Sequence, residues 1–92
     1  MVTSTKSVTY TQFRYFVALA RELSYRRAAQ VLGISQPTLT PQINVLEKSL
    51  GISLFERSRS GTLLSPEGRA LLPLAEDVLQ SSIRFEEKAR DI

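Results

Sequence analysis

The chain has 92 residues and a net charge of +3, from 12 Lys and Arg against 9 Asp and Glu, with neither Cys nor His. That length suits one small core, and the missing residue types exclude disulfides, thiolate chemistry, imidazole bases and the commonest zinc and haem ligands. A hydrophobic share of 42%, in short runs, is enough for a core and too interrupted to span a membrane.

Residues 1–8 read as a flexible lead-in rich in Thr and Ser, with no apolar stretch resembling a secretory signal, so a cytoplasmic protein is expected. Thr9 and Gln12 fit a capping box, and Phe13, Phe16, Val17, Ala20 and Leu23 fall on one face of a first helix over Tyr10 to Glu22. Ser24 caps a short second helix whose buried side is Ala28, Ala29, Val31 and Leu32, and Gly33 suits the left-handed residue after it. Ser35 caps a third helix with Pro37 in its first turn. There Leu39, Ile43, Leu46 and Leu50 share one face, and Gly51 ends the helix.

Two helices joined by so short a turn form a helix-turn-helix pattern. Ile52 to Arg57 and Thr62 to Leu64, separated by Ser58 to Gly61, then predict a two-stranded hairpin, which after a helix-turn-helix is a wing. Ser65-Pro66-Glu67 opens a last helix without an obvious stop before Ile92, roughly 40 Å long at 1.5 Å per residue. Gly68 and Pro73 are its weak points, and Pro73 predicts a kink or a late effective start. The fold class is therefore mainly α: a winged helix-turn-helix over residues 9–65, with three helices and a two-stranded wing, then a long linker or dimerisation helix over 66–92.

Charge divides at the same place. Residues 1–65 carry eight basic and three acidic groups, whereas 66–92 carry four basic and six acidic. The basic excess of the first part suits a polyanion. On the third helix, the face opposite the apolar one holds Pro37, Pro41, Asn44 and Lys48, flanked by Thr38, Thr40 and Val45, with Gln36 and Gln42 nearer the rims. Amides, hydroxyls and methyls of this kind match base edges, where a solvated face would be laced with Glu and Lys pairs. Arg57 and Arg59 in the wing, and Arg26 and Arg27 opening the second helix, suit phosphate contacts, although Arg27 is also placed to pair within the fold.

Ala28-Ala29, Ser35-Gln36-Pro37-Thr38, Gln42-Ile43 with Leu46-Glu47, Leu50-Gly51, Leu54-Phe55-Glu56-Arg57 and the Ser65/Gly68 pair resemble the N-terminal DNA-binding domain of LysR-type transcriptional regulators. The resemblance covers about Thr9 to Leu79 with conventional spacing. It implies that the third helix enters the major groove and that the wing reaches the backbone or minor groove of promoter DNA with imperfect dyad symmetry. It also implies a bacterial, nucleoid-associated homodimer joined through the linker helix and a tetramer for the full-length protein. A small-molecule effector would bind a C-terminal domain absent from this chain, and no cofactor is expected within it.

The expected base-reading residues are thus Gln36, Pro37, Thr38, Thr40, Pro41 and Asn44, and the expected backbone contacts are Arg26, Arg27, Ser35, Gln42, Lys48, Arg57 and Arg59. Pro41 departs from the family pattern: it replaces a polar side chain and removes the N–H that would bond the Pro37 carbonyl. For dimerisation the expected set is Leu71, Leu74, Ala75, Val78, Leu79, Ile83 and Phe85, more apolar surface than one face needs.

Two other function classes compete. A winged-helix protein-interaction module would use the same scaffold without DNA. An enzyme fits poorly, because Glu76-Asp77 and Glu86-Glu87 are adjacent on a helix and point about 100° apart, and no phosphate loop or metal cluster occurs. Catalytic and metal-binding residues are accordingly expected to be none.

Overall fold

The structure, a computed structural model, describes residues 7–92. The first six residues of the expected lead-in, Lys6 among them, lie outside the described residues. The elements run α1 (Tyr10–Glu22), α2 (Tyr25–Leu32), α3 (Gln36–Leu50), β1 (Phe55–Ser58), β2 (Gly61–Leu64) and α4 (Pro66–Asp91).

Each helix starts where a side chain satisfies otherwise orphan N–H groups. Thr9 Oγ1 accepts from Gln12 N at 3.1 Å while Gln12 Oε1 accepts from Thr9 N at 3.0 Å, closing the capping box. Ser24, Ser35 and Ser65 accept from Arg27 N, Thr38 N and Gly68 N in the same way. The helix ends differ from one another. Gly33 and Gly51 are left-handed, at φ 71° and 73°, but α1 ends on Leu23 at φ 51°, a residue whose Cβ makes that conformation cost roughly 1 kcal/mol or more.

The core has two connected parts. Leu19 of α1, Ala28 and Ala29 of α2, and Leu39 and Ile43 of α3 hold the helix-turn-helix together. The alanines are almost fully buried, which lets α2 pack closely. Phe16, Val17, Leu46, Leu54 and Ala75 join α1, α3, the base of the wing and α4. Phe16 meets Phe55 edge to face at 5.7 Å. Burying Leu19, Leu39 and Ile43 contributes about 1.5–3 kcal/mol each.

Four details depart from the periodic reading. Val31 is 66% exposed, because Ala28, Ala29 and Leu32 fill the sector of α2 that faces the core and Val31 lies about 110° from its centre. Leu50, at the last turn of α3, is also exposed. The wing is more compact than expected: β1 begins only at Phe55, and the antiparallel register from Phe55↔Leu64 to Ser58↔Gly61 leaves Arg59-Ser60 as a two-residue turn. Finally, α4 starts at Pro66 and runs through Pro73 without interruption. Pro73 is exposed, so the Arg69 carbonyl it leaves without a helical partner lies on the hydrated side.

Candidate nucleic-acid interface

Helix α3 turns Leu39, Ile43 and Leu46 into the core and leaves Gln36, Pro37, Thr38, Pro41, Gln42, Asn44, Val45 and Lys48 exposed. Five of the six expected base-reading side chains therefore stand on the solvent face. Thr40, the sixth, is half-buried and lines a cleft with Tyr25 and the wing. The Thr38 hydroxyl shares a 2.9 Å hydrogen bond with Ser35 Oγ, so that hydroxyl is partly committed to the cap and its methyl is the freer group. Ser35 likewise spends its oxygen on the Thr38 N–H, and its expected backbone contact competes with capping. Pro41 sits inside a continuous α3 on its exposed side, where the unpaired Pro37 carbonyl meets water.

The expected phosphate contacts separate into free and committed groups. Arg26, Lys48, Arg57 and Arg59 are exposed and form no ion pair among the described residues, and Gln42 is exposed beside them. Arg59 occupies the hairpin turn itself. Arg27 is committed elsewhere: its Nη2 donates to the Glu22 carbonyl at 2.8 Å and its Nε lies 3.6 Å from the Glu22 carboxylate. That tie joins α1 to α2 and makes Arg27 the weakest of the expected backbone contacts.

Between α2, α3 and the wing lies a cleft of about 180 Å³ lined by Tyr25, Thr40, Asn44, Glu47 and Arg57 among others. Burial pushes the Tyr25 hydroxyl above its ordinary pKa of 10.0, and the Glu47 carboxylate pushes it further, while Arg57 opposes them. Sequence reasoning did not single out Tyr25 or Glu47. Glu47 carried one signal, its place beside Leu46 in a quoted motif, but its bond to the wing depends on a contact seven residues away.

The expected dimerisation residues do not form one surface. Ala75 is buried against the chain's own α1 side, and Leu71 and Leu79 are half-buried there, so Ala75 is unavailable to a partner. Leu74, Val78 and Phe85 are exposed and, at about 100° per residue, fall within about 40° of one another. Ile83 is exposed but points about 180° from Leu74, off that stripe. Leu74 and Val78 also line an apolar groove of about 320 Å³ with Val8, Phe13 and Leu50, between α4, the start of α1 and the end of α3.

Comparison with known proteins places these features. The model of the bacterial regulatory helix-turn-helix protein, lysR family, matches residues 10–69. The HTH-type transcriptional regulator BudR of Klebsiella aerogenes is 48% identical over 79 residues, covering 86% of this chain and 55% of BudR. Across the similar curated relatives, the chain spans between 21% and 55% of their length. Among solved structures, the CbnR DNA-binding domain in complex with DNA superposes with a TM-score of 0.83 at 36% identity, covering 90% of this chain and 95% of that one. The BenM DNA-binding domain on catB site 1 DNA gives 0.86 at 35% identity, with 90% and 93% covered.

Proposed function

Since the chain belongs to the lysR family of bacterial regulatory helix-turn-helix proteins, we propose that it reads specific promoter DNA as the N-terminal, DNA-binding part of a transcriptional regulator. Its relatives are regulators and not enzymes, and its fold is that of domains solved on DNA, which favours DNA over a protein-interaction module. One observation carries the reading: α3 exposes an amide- and hydroxyl-bearing face with four uncommitted cations around it. In this reading Gln36, Asn44, the Thr38 methyl and the ring methylenes of Pro41 discriminate bases in the major groove. Arg26, Lys48, Arg57 and Arg59 neutralise phosphates and supply most of the affinity.

Dimerisation belongs to the same proposal. The stripe Leu74, Val78 and Phe85 is a free apolar face on a helix whose other side already packs on its own domain. Pairing it with a second copy presents two α3 helices to a dyad site. A tetramer, small-molecule sensing by sequence outside these residues, and a place on the cytoplasmic nucleoid complete the proposal for the whole protein. No helix among the described residues is long and apolar enough to cross a membrane.

The test is a titration against a promoter-like dyad duplex and a scrambled duplex at several salt concentrations. The reading expects preference for the dyad that persists as salt weakens both. Replacing Arg57 by Ala should lower the log–log salt slope by about one while leaving the preference intact. Equal binding to both duplexes throughout would refute sequence reading.

A further inference from the structure

The structure assigns Glu47 a positioning role: through the base of the wing, its carboxylate sets where Arg57 and Arg59 stand relative to the reading face of α3. The inference rests on the DNA-binding reading above and deepens it. Glu47 Oε2 accepts hydrogen bonds from Leu54 N at 2.7 Å and Phe55 N at 3.2 Å. A single carboxylate oxygen on α3 thus holds two consecutive N–H groups where the wing begins, and Arg57 follows two residues later on β1. Leu54 is 1% exposed, so its N–H has no access to water as a substitute partner. Bonds to a carboxylate are stronger than neutral ones, which suits a fixed joint.

The wing has a second attachment that does not involve α3. Ser65 N donates to Leu54 O at 2.9 Å, and Ser65 Oγ donates to Ser53 O at 2.6 Å. That attachment ties the wing to the start of α4 and would persist without Glu47. Among the described residues, no other side-chain hydrogen bond joins α3 to the wing. Removing the carboxylate should therefore leave a folded domain with its wing still present but no longer indexed to α3. Glu47 itself points into the cleft beside Tyr25 and Asn44, and it acts on DNA only through the arginines.

The experiment compares the parent chain with Glu47→Gln, Glu47→Ala, Arg57→Ala and the Glu47→Gln/Arg57→Ala pair. In free protein, 15N spectra of Glu47→Gln should show the amides of residues 54–61 moving and exchanging faster, with α1 and α2 unchanged. Affinity for the dyad duplex should fall about tenfold in Glu47→Gln and further in Glu47→Ala, the neutral acceptor rescuing part of the joint. Arg57→Ala should cost at least about threefold less in the Glu47→Gln background than in the parent, because a misplaced arginine has less to lose. Unchanged wing amides, or losses that simply multiply in the pair, would overturn the role. So would spectral change across the whole chain with a lowered Tm, which marks a general structural residue. If Glu47→Ala fails to fold, Glu47→Gln carries the test. Absence of DNA binding by the parent would refute the DNA reading and this role with it; normal binding by Glu47→Gln refutes the role alone.

Discussion

Gly68 is where α4 passes the base of the wing, and a Cβ there would run into the Leu54 carbonyl oxygen and come within 2.8 Å of a Leu64 methyl. Alanine at a helical position ordinarily stabilises by about 1 kcal/mol relative to glycine. Here overpacking costs about 1–3 kcal/mol and backbone is the obstacle, so Gly68→Ala should lower the melting temperature. Tyr25 gives a second prediction. Its folded pKa is raised, so the neutral phenol is the form the fold favours. The stabilisation it brings is complete below about pH 10 and is lost as pH climbs through the raised value. Urea midpoints of the parent should thus fall more steeply above about pH 10 than those of Tyr25→Phe. Neither site was fully legible in sequence. Ser65 and Gly68 were visible as a matched pair, but not that one hydroxyl bonds Ser53 O and Gly68 N together.

Helix α3 carries a proline six residues into its span without breaking, and the cost is visible only as an absent N–H opposite the Pro37 carbonyl. Pro41→Ala restores that donor and a good helix former, and should raise stability by about 1–3 kcal/mol in thermal or urea denaturation. If the exposed proline ring touches bases, the same variant will bind the dyad duplex with altered preference at one position per half-site. Element boundaries were legible where chemistry is local. Thr9, Ser24, Ser35 and Ser65 each cap through an N–H three residues on, and hydroxyl residues announce that in the sequence. The end of α1 was not legible, because Leu23 takes a left-handed conformation that its residue type does not advertise. Nor was the shortness of β1, since Ile52 and Leu54 are apolar for the sake of the core beneath the wing rather than for a ladder.

At the scale of the molecule, apolar composition showed that α4 has more greasy surface than one domain needs, but not how it is divided. The division depends on which side α1 occupies, and α1 claims Ala75, half of Leu79 and the Arg21–Glu76 pair at 3.5 Å. Placing a charge on the remaining stripe separates the possibilities. Phe85→Glu should convert a dimer to monomer in sedimentation and weaken binding to a dyad duplex more than to a single half-site. Ile83→Glu, on the other side of the rod, should leave both measurements near the parent values. The same rod has a metrical consequence. After Leu79 it continues for 12 residues to Asp91, about 18 Å at 1.5 Å per residue. Each residue also turns it by about 100°, so the stripe proposed to join two copies and the face proposed to read DNA are geared to one another. Adding one residue between Leu79 and Phe85 would turn Phe85 more than a quarter turn away from Leu74 and Val78, whereas adding seven would return it to within about 20° of their line. The spacing of the operator is, on this view, written into α4 as an angle as much as a length.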